Sequence, residues 1–501
     1  MKYTSVFLLL LWPSLLQAQQ KWQSRYVKMK KDSSLVYMPD EKGNVIPDFS
    51  QVGYHHNQIP IPFVKVVKSI SPAGTDADQQ LIQNAIDEIA SLPADEKGFR
   101  GALLLKKGIY KIPGSLKISN GGIVLRGEGE ATKLIATGKG QRKLLMVSGQ
   151  GKLEEIAGTR LKIKDKYVPV GAKSFRLSNT ADLKKGDRIV VFRPGTKQWI
   201  QDLKMDQIEP GNGTIQWTPE EYNLKFERTI TAIRGNTIFI DQPVVMAMEE
   251  QYGGGEIFKY QFNGRISEVG IEDMAFESEF ASPTDEDHGW DAVSFNKIEN
   301  SWVSGVISHY FGYSCVNLGA DSKNITVRNS KCFAPKSQIT GGRRYSFNND
   351  GQLNLFVNCY ASEGRHDYVT GAKVAGPNVF FNCRSENAKA DIGPHHRWAM
   401  GTLYDNIITD GEINIQDRGN WGTGHGWSGV NQVLWNCTAK SAAVQNPYVS
   451  GQNYSIGLKG EKVQGRLKNR PDGNWEGQNQ QGLEPGSLYL MQVKQFKKQI
   501  N

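Results

Sequence analysis

The chain is poor in the features that mark most other architectures. Helical patterns are scarce in its 501 residues, and beyond the first turns of sequence no apolar run is long enough to cross a bilayer. Cysteine is sparse. The five residues Cys315, Cys332, Cys359, Cys383 and Cys437 are odd in number, which excludes complete pairing within the chain. No Cys-X-X-Cys or Cys/His spacing points to zinc, and no nucleic-acid-binding motif accompanies the net charge of +9. What is abundant is glycine, at 53 residues, which suits an all-β chain with many turns.

Met1-Lys2 is followed by an apolar stretch from Val6 to Leu16 and then by Leu16-Gln17-Ala18. This reads as a secretory signal peptide cut after Ala18, so the mature protein is expected to be secreted or periplasmic. The run is too short to span a membrane. No cysteine follows the cut, so a lipid anchor is not indicated. A basic exported protein meets acidic polymers more readily than nucleic acid.

Between residues 288 and 427 one phrase returns: His288-Gly-Trp290, Arg343-Arg344-Tyr345, His366-Asp367-Tyr368, His396-Arg397-Trp398 and His425-Gly-Trp427, with a weaker Phe311-Gly-Tyr313. A second phrase ends at Asn300, Asn329, Asn358, Asn382, Asp410 and Asn436, at steps of 29, 29, 24, 28 and 26 residues. A period in this range signals a stacked solenoid, with equivalent positions of successive turns about 4.8 Å apart. The polar groups of the first phrase then form a column beside aromatics, a site for an extended, ring-bearing anion such as an acidic polysaccharide. Four of the eight histidines fall in that column and His395 adjoins it. Cys359, Cys383 and Cys437 each follow the repeating Asn, which predicts a ladder of small buried thiols rather than a disulfide framework.

The pattern divides the chain into 1–18, the signal peptide; 19–149, an irregular segment, a helix and the first turns; 150–262, a small β-rich insertion leaning over the rod; 263–450, the main coils; and 451–501, a terminal cap. The helix follows Thr75-Asp76 and shows Leu81, Ile82, Ala85, Ile86 and Ile89 on one face, with Asp residues at its start. Trp199, Trp217 and Tyr222 of the insertion either stack on sugar rings or pack its core.

The Thr75-Asp76 pair before an amphipathic helix, the strand ending Gly108-Ile-Tyr110 and the strand ending Leu125-Arg-Gly127-Glu-Gly129 resemble the opening of the pectate-lyase-like right-handed parallel β-helix proteins. Asn354-Leu-Phe-Val-Asn358-Cys, Asn378-Val-Phe-Phe-Asn382-Cys and Gln432-Val-Leu-Trp-Asn436-Cys are similar to that superfamily's coil pattern. The resemblance covers residues 71–147 and 265–450. It implies that the helix caps the first turn. It leaves the activity open among lyases, hydrolases, esterases and adhesins.

β-Elimination on a uronic acid chain needs a group to neutralise the C6 carboxylate, a base for the C5 proton and an acid for the leaving oxygen. Arg forks match carboxylates, His titrates near neutrality, and Tyr or a second His donates a proton. The expected assignment is Arg344 and Arg397 on the carboxylate, His366 as base, and Tyr345 or His396 as acid. Arg343, Arg365, Lys373, His395, Trp398, His425, Trp427, His288 and Trp290 are expected to bind substrate. Many β-helix lyases use calcium for the first task. Asp285, Glu286, Asp287 and Asp291 read first as a solvated acidic loop and second as a calcium site; otherwise no cofactor is expected. The rival readings are a glycoside hydrolase, with carboxylates drawn from Asp350, Asp367 and Asp391, and a non-catalytic carbohydrate-binding solenoid. Gly424-His425-Gly426 matches one polygalacturonase phrase, but the Asn-Thr-Asp and Asp-Asp phrases that should precede it are missing.

Overall fold

The computed structural model describes residues 21–211 and 213–500, so the leader assigned to 1–18 lies outside the described residues. The chain is an all-β, right-handed parallel β-helix. Twenty-nine strands join one continuous ladder. Each turn contributes short strands to three faces. Sheet 1 runs through Gly101–Leu105, Ser322–Arg328, Leu355–Val357 and Val433–Trp435 and continues to Asn474–Glu476. Sheet 2 includes Lys331–Phe333, Tyr360–Ser362 and Arg384–Glu386. Sheet 3 includes Phe347–Asn349, Tyr368–Thr370, Asp391–Pro394 and Glu412–Ile415.

Stacking turns like on like fills the interior with columns of similar side chains. Phe356, Phe380 and Tyr404 stack at 4.7 and 5.4 Å, and Phe347 stacks on Tyr368 at 5.6 Å. Cys359, Cys383 and Cys437 are free and buried, as the thiol ladder predicted, and so are Cys315 and Cys332. The corner between sheets 1 and 2 needs a left-handed residue on every turn. Asn329, Asn358, Asn382, Asn406 and Asn436 supply it, with φ between 51° and 55°. Asn tolerates that region better than other non-glycine residues. Their amides also link successive turns: Asn382 Nδ2 donates to Asn358 Oδ1 at 2.6 Å, and Asn436 Nδ2 to Asn406 Oδ1 at 2.9 Å. The sequence periodicity misplaced two members of this column. Asn406, not Asp410, occupies it, and Asn300 sits at the corner that precedes sheet 1, where Glu268 donates its N–H to the Asn300 carbonyl. Replacing Asn382 with Ala is expected to cost about 1–3 kcal/mol, from left-handed strain and the lost ladder bond. Urea unfolding of the Ala variant against Asn382→Gly, which relieves the strain, separates the two contributions.

The helix Ala77–Ser91 buries Ile82, Ala85, Ile86 and Ile89 against the first turns. Asp78, rather than Asp76, organises its entry: its carboxylate accepts the N–H groups of Ala73, Gly74 and Thr75. The stretch expected to cap the last turn instead forms the helix Leu488–Ile500, which lies along the flank of sheet 1 against Leu355, Val379, Leu403 and Val433. There Ser487 Oγ and Tyr489 N–H donate to the buried Asp405.

Residues 22–64 form a strap that the sequence showed only as irregular. It starts at the last turn, where Ser24 Oγ donates to Glu476, and ends at the first turns, where Tyr54 donates to Glu268 and Arg126 to the Val64 carbonyl.

The insertion is an antiparallel sheet built on Arg188–Arg193, Leu224–Arg234 and Glu256–Gln261. Its apolar face closes over the rod's Trp398, Met400, Trp427 and Val430. A buried ion network ties it down. Glu227 accepts Arg265 at 2.6 and 2.8 Å, Lys323 at 3.1 Å and Tyr260 at 2.6 Å.

Candidate active site

The outer surface of sheet 3 opens into a cleft of about 840 Å³ between the 340–342 loop and the 418–425 loop. Four turns of the rod supply its chemistry. Tyr345 enters from one turn, His366 from the next, Asp391 and His395 from the third, and Arg418 and His425 from the fourth. His366 is 2% exposed. Its Nδ1 lies 2.7 Å from the Asp391 carbonyl oxygen and 3.1 Å from Asp391 Oδ1. A carbonyl only accepts, so Nδ1 carries the proton and Nε2 presents its lone pair. That Nε2 is buried and has no hydrogen-bond partner among the described residues.

Asp391 is held from its other side by Arg418, whose Nη2 donates to Oδ2. Burial alone would favour the neutral acid, but Arg418 and His366 outweigh it and keep the carboxyl below its usual range. Burial pushes the His366 imidazole down, and Asp391 pulls it partly back. The Tyr345 ring meets His366 edge-on at 5.0 Å and His395 at 5.3 Å. Burial raises its phenol, so it stays protonated.

His395, His396 and His425 complete a cluster of rings 4.9 to 5.3 Å apart. Their Nδ1 atoms have no partner among the described residues. Burial, with neighbouring cationic groups, lowers His396 to about 4 and His425 to about 3. In the unfolded chain both take up a proton near pH 6.5. Their contribution to stability is therefore complete above pH 6.5 and is lost as pH falls toward 4 and 3. Calorimetry between pH 7 and 4 should show the melting temperature falling across that window, with a shallower fall in His425→Gln. Equal slopes would contradict this account.

Arg365 also lines the cleft and donates to the Gly341 carbonyl. Lys389, Glu412, Asn414 and Trp421 complete the wall. The structure thus brings together His366, Tyr345, His395, His396, His425 and Arg365 from the expected set.

The other expected residues are used elsewhere. Arg344 is buried and donates to the Ser337 and Pro283 carbonyls, pinning two loops beside the cleft rather than facing it. Arg343 is paired with Glu286. Arg397 turns toward the insertion, donating to the Thr423 carbonyl at 2.9 Å and lying 3.7 Å from Glu221. Lys373 sits over the Tyr222 ring. Trp398 packs 5.1 Å from Trp199, and Trp427 Nε1 donates to the Leu203 carbonyl. Both Trp residues are fully buried, so they hold the insertion rather than a ligand. Trp199, Trp217 and Tyr222 pack that same core. His288 is buried between Ser278 Oγ and the Lys336 carbonyl, and the half-buried Trp290 packs on Gly312.

The acidic set does not converge. Asp285 accepts the Ala281 and Asp287 N–H groups, Asp287 accepts that of Gly140, and Asp291 is buried against Asn317. Among the described residues no three or more of His, Cys, Asp and Glu are grouped to hold a metal ion.

Arg418 and the His366–Asp391 contact were not foreseen. The repeating phrase set His366 beside His396. The true register pairs Val369 with Gly393, which sets Asp367 beside Asp391. Asp367 itself is buried, takes hydrogen bonds from Ser346 and Ser385, and is raised to about 6 by burial. Arg418 belongs to no repeating phrase.

No family model matches the chain, and no curated protein matches it. Solved structures do. The tailspike protein gp49 of Pseudomonas phage LKA1 is 14% identical over 77% of this chain, with a TM-score of 0.46; the chain spans 56% of that protein. The alginate lyase of Paenibacillus sp. strain FPU-7 is 11% identical over 83% of this chain and 99% of its own, with a TM-score of 0.40. A tailspike of E. coli bacteriophage HK620, solved with a pentasaccharide, is 10% identical over 88% of this chain and 61% of its own, with a TM-score of 0.40.

Proposed function

We propose that the chain is an exported polysaccharide lyase that cleaves a uronic-acid-containing glycan by β-elimination in this cleft. One observation carries the reading. A buried imidazole in the wall of the cleft is oriented through Nδ1 by a carboxylate held ionised, and its Nε2 is left without a partner among the described residues, with a protonated phenol edge-on to the ring. This is the arrangement a general base and its partner acid require. His366 Nε2 removes the C5 proton, and Tyr345 donates to the departing glycosidic oxygen. Arg365 and Lys389 replace Arg344 and Arg397 as the groups that meet the substrate carboxylate. Asp391 and Arg418 orient the base. The neutral imidazoles of His395, His396 and His425 hydrogen-bond the sugar hydroxyls.

A hydrolase needs a carboxyl that is protonated at working pH. Asp391 is held in the opposite state, and Asp367, raised to about 6, does not line the cleft, which leaves Glu412 as the cleft's other carboxyl. No helix of the described residues is long and apolar enough to cross a membrane.

The test is a panel of pectins, alginate, glycosaminoglycans and glucuronate-rich gums. Turnover of at least one is expected to yield an unsaturated ring that absorbs in the ultraviolet. New reducing ends without that absorbance would replace elimination by hydrolysis, and neither signal would leave a binding protein.

A further inference from the structure

A second cavity, of about 220 Å³, lies directly behind the 418–425 wall of the cleft. The partition is a tight hairpin: Asp417 bridges Trp427, and Arg418 N–H donates to Gly426 at 2.8 Å. Its residues divide between the two sides. Arg418 and Trp421 line the cleft, whereas Asp417, Gly419 and Asn420 line the second cavity. The wall is therefore one residue thick.

Trp421 stands on this partition with 45% of its surface exposed, far more than any other tryptophan near the cleft. The Arg466 guanidinium lies 4.9 Å from its ring, reaches over the hairpin to the Arg418 carbonyl and Asn420, and also lines the second cavity. Arg466 has no carboxylate partner among the described residues. Neither has Lys204, at the same cavity, whose ammonium sits 4.5 Å over Tyr448. Arg470 is neutralised by Asp417 at 2.6 Å, and Glu209 is the remaining acid in the lining. Two cations without a carboxylate partner among the described residues, which leave the lining with a net positive charge even with Glu209 present, lie behind an exposed indole and match the next part of an anionic sugar chain. The indole offers an apolar face for a ring, and the cations meet its carboxylate.

We propose that this cavity is a second subsite, in which Arg466 and Lys204 hold sugars of an acidic oligosaccharide that passes over Trp421 on the cleft side of the hairpin and whose scissile bond lies at His366. The inference rests on the reading of the cleft given above. It makes the protein a binder of chains long enough to cross the hairpin, with short oligomers held by the cleft alone.

The experiment uses the full chain carrying His366→Ala, so that bound sugar is not consumed. Calorimetry compares oligogalacturonates and oligomannuronates of two and six sugars. The hexamer of the accepted series is expected to bind at least tenfold more tightly than the dimer. Lys204→Gln, at an exposed position, is expected to weaken the hexamer about fivefold and leave the dimer unchanged, the size of effect an exposed charge contact gives. Trp421→Ala, on the cleft side of the hairpin, should weaken both lengths. Equal binding of the two lengths overturns the proposal, as does a Lys204→Gln effect shared by both, or no binding of either series. Length-dependent binding that is weakened in Lys204→Gln, when the parent chain with His366 intact forms no unsaturated product, would sink the lyase reading and keep the subsite.

Discussion

Substituting His366 by Ala is expected to lower turnover about a thousandfold, within the 10²–10⁴ range typical of a positioned base. The fold should survive. The imidazole has one hydrogen-bonding nitrogen engaged, worth about 1 kcal/mol, and the Asp391–Arg418 pair remains in place without it. Ultraviolet absorbance of product measures the first effect and thermal melting the second. Activity within threefold of the parent would remove His366 from the chemistry. Because burial lowers this imidazole, the acid limb of kcat/KM should fall below the pH 6.5 of a free histidine. Asp391→Asn is expected to shift that limb further, since the carboxylate opposes the effect of burial.

The largest stability effect is expected at Glu227. Its carboxylate stands between Arg265 and Lys323, with side chains 4%, 3% and 11% exposed. Removing it leaves two buried cations with Glu299, at 3.5 and 3.6 Å, as their remaining acid, which Arg188 also shares. Breaking one partner out of a buried pair costs about 3–5 kcal/mol. Urea unfolding of Glu227→Ala should show a loss of that order, with the insertion loosening first. The pH dependence has a definite sign. Burial would raise this carboxyl, but the cations outweigh it and hold it well below the ordinary value of 4.5. Its contribution is complete above pH 4.5 and is lost as pH falls below. The variant should therefore lose less stability than the parent on acidification below that point. A cost under 1 kcal/mol would show that the network is dispensable.

The architecture was legible because a solenoid writes its geometry into the sequence at every turn. Left-handed corners select Asn, and the interior selects stacked rings and thiols. The strap was not legible, since its partners lie hundreds of residues away and impose no local period. The histidine cluster was visible as a concentration of one residue type at matching places. The pointing of individual side chains was not. Alternation of i and i+2 holds along a strand, but the phrases fall at corners. Arg344, Arg397 and Trp398 have φ of 57°, 54° and 69°. Those left-handed residues turn the two expected carboxylate ligands away from the cleft. Arg418 and Asp391 needed the register itself, which only the ladder fixes.

The strap has a consequence for how the molecule comes apart. A linear array of turns can fray from either end, each terminus opening without the knowledge of the other. Here Ser24 is fastened to Glu476, 452 residues downstream, while the same stretch is anchored forty residues later against the opening coils. Losing the last coil frees the clasp that covers the first. The first and last described coils are thereby made to open together, and residues 22–64 find their seat only once the coil that carries Glu476 has been wound.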